Sequence, residues 1–586
     1  MPSISLSASL RGQLLTSGRF NPLSIFAASE PGWVYDNSDM STLFQDSAGT
    51  TPVTAVGQPV GLQLDKSKGL VLGPELVTNG DFSAGSTGWT SSSWTFTGGA
   101  ATYPDTINDF FRPATGFEVP LVGGKSYIVT FNLVSSVAPA SVALTNVDGT
   151  ASYTPITALS GNGPKQFVIS PAASTTNIRI YGYTSSGGPF SIDNISVKEL
   201  AGTHRTQSTA ASRPTFARLP VTGRRNFFNT TSTPSAGTGN AVTANAAIGP
   251  NGQVTAARVS KTDATATVYA YQFTSMTVLV STTYTVSRYV KYDGYDTTTS
   301  LEYNNGANWG GVSWVAPFIV TSGGVAAGAT ANCTSTVLPV GNGWYRVSAT
   351  FTTGATVTTP SNPSVLFRIT GASGVSVLMT DAQLELGSTA TNYQNVVSLY
   401  DITEAGVQTA YGLYYDGVDD FLVTPTITPG TDKVQVFAGV RKLSDAAAAM
   451  IVEHSAALTA NNGSFYLVGP SSGGFANYSF GSKGTLTAGP VASGFAAPIS
   501  NVVTGLGDIS GDRVTIRVNG TQAIQSTADQ GTGNYGAYPT YFGRRGGTTL
   551  PFNGYTFREI GRFGPNLDTA TIANVENWIN QNTGAY

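Results

Sequence analysis

One cysteine and two histidines are all that this 586-residue chain offers of the side chains most used for soft-metal binding and proton relay. A lone Cys333 excludes an intrachain disulfide framework and a cysteine-rich zinc site, and is expected to be a small buried or half-buried apolar residue. His204 and His454 are too few for a histidine-rich metal centre, and a Ser-His-Asp relay is not expected. Charge is scarce too, at 11% of residues against about 25% in ordinary domains. With 30 basic and 33 acidic side chains there is no field to attract a polyanion, so nucleic acid is not expected as a partner. No apolar run approaches the roughly 20 residues of a membrane-spanning helix. Disorder is excluded from the other side, because 40% of the chain is hydrophobic and 10% aromatic.

What fills the chain is glycine (68 residues), hydroxyl side chains and short alternating runs. Tyr127, Val129, Phe131 and Leu133 share one face of a half-buried strand. Tyr345, Val347, Ala349 and Phe351 repeat the pattern, as do Val514, Ile516 and Val518 before the hairpin pair Asn519-Gly520. Gly- and Pro-containing turns separate these runs at sandwich-like spacing. The expected fold is all-β, with tandem antiparallel β-sandwiches. One helix is expected at the C-terminus, capped by Asp568, striped by Ile572, Val575, Trp578 and Ile579, and ended by Gly584.

Two segments end alike. Phe190 to Leu200 (FSIDNISVKEL) matches Leu378 to Leu386 (LMTDAQLEL), with Asp193 set against Asp381, which implies two copies of one sandwich. Between them Arg205, Arg213, Arg218, Arg224 and Arg225 occur without a single acid. This stretch is either a solvated basic linker, open to proteolysis, or a strap docked on a neighbouring domain.

Enzyme motifs fail on context. Gly469 to Gly473 fits G-x-S-x-G but lies in a Gly/Ser loop with Pro470, and Gly531 to Gly536 fits G-x-G-x-x-G but leads into a strand. No catalytic residue is assigned. Asp416, Asp419 and Asp420 form the densest acidic group, a turn or hard-cation site before a carboxylate pair. Sugar binding needs flat aromatics beside amides and hydroxyls. Tyr303, Asn305 and Trp309 supply one such group, and Tyr535, Tyr541 and Arg544 a second.

Trp33-Val-Tyr-Asp36, Asp39 to Thr50 and Leu64 to Gly69 together resemble the N-terminal module of tailed-phage structural proteins. Leu76-Val-Thr-Asn-Gly-Asp-Phe82 with Gly88-Trp89 and Asp193 to Val197 resembles a jelly-roll carbohydrate-binding module. Gly341 to Arg346 with Ala382 to Gln394 resembles its variant in phage tail proteins. Tyr414 to Phe421, Gly511 to Gly520 and Tyr541 to Gly546 resemble a laminin-G/concanavalin-like lectin sandwich. These resemblances imply a virion-anchoring module at 1–75, jelly rolls at 76–200 and 225–398, a linker at 201–224 and a lectin-like domain at 399–586. They imply a tail fibre or adhesin that assembles as a trimer, docks on other virion proteins and binds host-surface polysaccharide without catalysis. A head or neck decoration protein and a polysaccharide-degrading tailspike are the alternatives. Structural calcium is implied at Asp81 and Asp193. The absence of a secretory signal fits assembly in the host cytoplasm and release by lysis on a particle.

Overall fold

The computed structural model describes residues 20–586 apart from 136–139, 147–148, 150–151, 172, 176, 229–232, 264–267, 275, 277, 304–308, 358–363, 397 and 458–459. The fold is all-β, in antiparallel sheets packed as sandwiches. Among the described residues the one α-helix is Thr569–Thr583. The chain divides into two compact units, Met1–Ala217 with Tyr411–Tyr586, and Arg218–Ala410.

In the first unit, one sandwich is assembled from three distant stretches of sequence. One of its sheets orders the strands Thr409–Asp416, Asn553–Arg562, Lys433–Lys442, Ile499–Asp508, Arg513–Val518 and Thr521–Ser526. Gly32–Asp36 also pairs with Asn553–Arg562. The facing sheet orders Leu43–Phe44, Leu62–Gln63, Arg205–Thr206, Leu422–Val423, Thr540–Phe542, Met450–His454, Ser464–Val468 and Asn477–Lys483. Val434, Val436, Val514 and Ile516 share its core with Phe465, Phe480, Phe542 and Trp33. The helix covers the first sheet from outside, where Ile572, Val575 and Ile579 meet Val34, Phe437, Val502 and Ile560. Asp568 caps it by accepting from the Thr571 N–H, and Gly584 ends it in the left-handed region at φ 61°.

Two expectations are corrected here. The described part of 1–75 is no free-standing module, because its strands pair inside this sandwich. Trp33 and Tyr35 lie in the sandwich core, and Asp65, fully buried, accepts from the N–H groups of Val34, Ser67 and Thr203. Nor is 201–224 a solvated linker. Arg205 is buried in a strand, Arg213 donates to the carbonyls of Gln45, Gln207 and Ser208, Arg218 pairs with Asp401, and Arg224 pairs with Glu385. A guanidinium with a fixed partner is a docking device.

The same unit holds a jelly roll. One sheet orders Thr157–Leu159, Ala140–Asn146, Ile178–Gly182, Asp109–Pro113 and Trp89–Ser91, and the other Gly163–Ile169, Ser126–Ser135, Phe190–Leu200, Ala100–Tyr103 and Thr95–Thr97. From Asp109 onward the chain crosses between sheets at nearly every step, which is jelly-roll connectivity. Tyr127, Val129, Phe131 and Leu133 all enter its core, as their alternation requires.

The second unit repeats that plan. Val254–Lys261, Ser376–Leu386, Thr283–Tyr292 and Trp344–Thr352 are neighbours in one sheet, and Val268–Phe273, Ser364–Thr370 and Thr297–Tyr303 in the other. The repeat is one residue out of the register expected from sequence. Both last strands carry a bulge, after Asp193 in the first copy and opposite Ser287 and Tyr289 in the second. The left-handed bulge residues are Asn194 at φ 54° and Asp381 at φ 54°. Asp381 therefore stands at the place of Asn194, a position where Asn and Asp tolerate positive φ. Likewise Asn226 stands at the place of Glu75, since their side chains accept from the N–H groups of Leu384 and Val197.

Candidate functional site

The loop that closes Thr409–Asp416 brings most of the remaining chemistry to one edge of the first unit's larger sandwich. Gly417, at φ 78°, turns the chain. Asp416 then accepts from the N–H groups of Val418 (2.7 Å) and Asp419 (3.3 Å), and Asp420 accepts from the Asp416 N–H at 3.0 Å. Asp419 accepts from the Ser212 hydroxyl at 2.6 Å. Ligand oxygens of Asp416, Asp419 and Asp420 lie within 4.8 Å of one another, a spacing a hard cation can bridge. Burial, and then the neighbouring Asp416 charge, push the Asp420 carboxyl up to about 8.

From this loop a row of side chains crosses the outer face of the sheet. Val423 stands opposite Tyr541, Tyr541 opposite Glu453, Glu453 opposite Tyr466, and Tyr466 opposite Gly481. The alternate residues Leu422, Phe542, Val452, Leu467 and Phe480 point into the core, so the parity of the strands fixes the row outward. Tyr466 lies flat on the backbone because a Cβ at Gly481 would stand 2.5 Å from its ring. Glu453 is buried beneath Arg545, whose Nε donates to both carboxylate oxygens at 3.1 and 3.0 Å. Arg544 donates to the Asp419 and Thr548 carbonyls at 3.4 and 2.9 Å, and Phe421 packs 6.4 Å from Tyr541. Two half-buried tyrosines thus flank a fixed ion pair, a surface able to stack a sugar ring and bond its rim.

Of the sequence-derived sugar residues among those described, Tyr541 and Arg544 reach this surface. Tyr303 and Trp309 belong to the second jelly roll's core, with ring centroids 6.0 Å apart. Tyr303 continues the inward series Thr299, Leu301, and that parity was readable in the sequence. Asn305 lies outside the described residues. Tyr535 is also core, its hydroxyl 2.6 Å from that of Ser482, and burial pushes it well above the usual tyrosine range. Tyr466 and Glu453 were missed. Their signal was the alternation of Ser464–Val468 and Met450–His454, which needed the cross-strand register to be interpreted.

Asp81 and Asp193 are each satisfied locally. Asp81 accepts from the Ser83 N–H and hydroxyl, and Asp193 from the N–H and side-chain amide of Asn194. Neither joins a cluster of three metal-ligating groups among the described residues. The Asn79 to Phe82 motif instead builds a loop. Asn79 bonds the backbone of Ala84, Gly85 and Thr87, Gly80 passes where a Cβ would meet the Ile195 carbonyl at 2.0 Å, and Phe82 enters the core.

Both histidines are interior. His204 accepts from the Asp65 N–H at 2.8 Å and donates to the Leu200 carbonyl at 3.2 Å. His454 donates to the Gly536 carbonyl and accepts from the Thr540 hydroxyl, each at 2.9 Å. Burial lowers both, His454 to about 4.

No protein-family model matches the chain, and no curated protein matches it significantly. Among solved structures, the CBM40 module of the Ruminococcus gnavus IT-sialidase bound to α2,3-sialyllactose is similar at 16% identity, over 24% of this chain and 82% of that one, with a TM-score of 0.21. The CBM22-1–CBM22-2 tandem of Paenibacillus barcinonensis Xyn10C is similar at 11% identity, over 54% and 98%, with a TM-score of 0.18. Domains LG4-5 of the mouse laminin α1 chain are similar at 11%, over 57% and 93%, with a TM-score of 0.20. At scores this low the sandwich and jelly-roll assignment rests on the strand order above.

Proposed function

We propose that the protein is a non-catalytic structural protein of a tailed-phage particle, a tail fibre or adhesin whose sandwiches bind host-surface glycans. The observation that carries this reading is the outward row Tyr541, Glu453, Tyr466, with Arg545 fixed across it. Aromatic faces and bonded polar groups on a rigid sheet suit weak, repeated sugar contacts, which gain strength when several copies act together. The chain then works as a trimer on the particle surface, assembled in the host cytoplasm and attached to other virion proteins, with no enzymatic step. Burial of both histidines as neutral, hydrogen-bonded groups supports the last point.

One observation favours a second reading, a polysaccharide-degrading tailspike. Asp420, raised to about 8 beside Asp416, has the paired-carboxylate character of a general acid. It is, however, nearly inaccessible and accepts from its own loop, which points to a structural group. A head or neck decoration protein would use the same surface.

Binding of the full-length chain to an array of bacterial polysaccharides tests the proposal, with release of reducing ends measured in parallel. Binding without cleavage is expected, and Tyr541→Ala with Tyr466→Ala should weaken it about tenfold. Reducing-end release would establish the tailspike reading, and a map of the particle would place the chain on tail, neck or capsid.

A further inference from the structure

A polar pocket of about 220 Å³ opens on the opposite sheet of the same sandwich, between its edge hairpin and the start of the helix. A β-bulge builds it. Thr515 stands opposite Gln525, Ile516 opposite Ile524, and Arg517 opposite Gln522, so Ala523 is the extra residue. Three positions apart on a regular strand, Gln522 and Gln525 would face opposite sides. The bulge turns both toward the pocket, the use to which bulges beside binding sites are put.

The pocket's chemistry is amphiphilic, and its charged side chains Asp508, Arg513 and Arg517 are ion-paired. Leu506, Leu567 and Ile572 give it an aliphatic wall. Across from them, Gln525 accepts from the Thr515 hydroxyl at 3.1 Å, and its amide N–H groups have no partner among the described residues. Gln522 makes no side-chain hydrogen bond among the described residues and is exposed. The cations beside them are in ion pairs. Arg517 donates to Glu576 at 2.8 and 2.9 Å, and Arg513 donates to Asp508 at 3.3 Å. The helix N-terminus is partnered as well, because Asp568 answers the Thr571 N–H with a negative charge.

We propose that this pocket takes one neutral sugar residue, a hexose or its N-acetyl derivative, as a second glycan subsite. The proposal rests on the glycan-binding reading above and adds a place and a ligand class to it. Free primary amides donate and accept, as sugar hydroxyls do, and the aliphatic wall suits the C–H face of a pyranose ring. A charged sugar would have to compete with Glu576 and Asp508 for the guanidinium groups they already pair. The volume falls below the roughly 300–1,000 Å³ of drug-sized sites, which limits the occupant to about one ring.

Saturation-transfer NMR and calorimetry on the full-length chain test this, with glucose, galactose and N-acetylglucosamine as probes and glucuronic acid as the charged comparison. At least one neutral sugar should bind. Gln522→Ala with Gln525→Ala should weaken it at least tenfold while the unfolding midpoint stays put, since both side chains are exposed. If a neutral sugar is lost with Tyr541→Ala and unchanged in the glutamine double variant, this pocket is overturned and the glycan-binding function stands. Preference for glucuronic acid overturns the charge argument. No binding of any glycan, on the array or here, overturns both.

Discussion

Arg205 and Glu559 lie 354 residues apart in sequence and 2.7 Å apart in the fold, both shut away from solvent. The guanidinium also donates to Gln63 and Asn37 and rests 4.1 and 4.4 Å from the ring centres of Tyr35 and Phe542. One side chain thus ties the N-terminal strands and the supposed linker to the C-terminal sheet. Removing it leaves a buried carboxylate unpaired, a change that costs about 3–5 kcal/mol. Arg205→Ala should lower the melting midpoint of the first unit by on the order of 10 °C. Arg205→Met combined with Glu559→Leu should recover part of that loss. Equal midpoints for wild type and Arg205→Ala would remove the tie from the account.

The same geometry makes a prediction about proteolysis. Arg205 and Arg225 are buried, and Arg213, Arg218 and Arg224 are half-buried with bonded guanidinium groups. Trypsin acting on the native chain should give no early cut after Arg205, Arg218, Arg224 or Arg225, as mass spectrometry of the first fragments can show. An early fragment beginning at Thr206, Leu219 or Asn226 would restore the solvated linker.

Local pattern was legible in the sequence, and distant partnership was not. The alternation through Tyr127 to Leu133 and Val514 to Val518 placed each side chain on the correct face, and Asp568 and Gly584 marked the helix ends. Five arginines without an acid looked like a linker because their partners, Glu559 and Asp401 among them, are remote in sequence. Trp309 looked like a sugar platform because it sits in a Gly- and Asn-rich run, yet it packs 5.1 Å from Phe351 in the core. The one-residue error in the repeat came from aligning acids, where backbone conformation pairs Asn194 with Asp381. Of the candidate surface, Tyr541 and Arg544 were visible as residue types. Tyr466 and Glu453 became visible only once the register put them beside Tyr541.

Acid should destabilise the first unit through its histidines. In the unfolded chain His454 titrates at its ordinary 6.5, and burial lowers it to about 4 in the fold. Its contribution is therefore fully present above pH 6.5 and lost as pH falls toward 4, because the unfolded state takes up the proton first. The loss is up to about 3 kcal/mol at 1.36 kcal/mol per unit. His204, also lowered by burial, acts with the same sign. His454→Gln keeps a donor for Gly536 and an acceptor for Thr540 without titrating, so its melting midpoint should vary less between pH 7 and pH 4 than that of the wild type. An identical slope would show that His454 is not the group responsible.

Asp420 acts with the opposite dependence. Its carboxyl releases its proton near 3.8 when unfolded, and burial with the Asp416 charge raises it to about 8 in the fold. Between those values the folded state holds a proton that the unfolded state has lost, so stability falls as pH rises and the loss is complete above about 8. Asp420→Asn cannot titrate, and its side-chain oxygen can still accept from the Asp416 N–H. It should match the wild type near pH 4 and exceed it by about 1–3 kcal/mol at pH 8, a range discounted from the full linkage for solvent screening at the loop. A hard cation shared by Asp416, Asp419 and Asp420 would relieve the same repulsion. Calcium at pH 8 should then raise the wild-type midpoint, chelator should reverse the gain, and the variant should not respond. Wild type and variant with equal midpoints from pH 4 to pH 8 would mean that Asp420 is ionised in the fold like any exposed carboxylate.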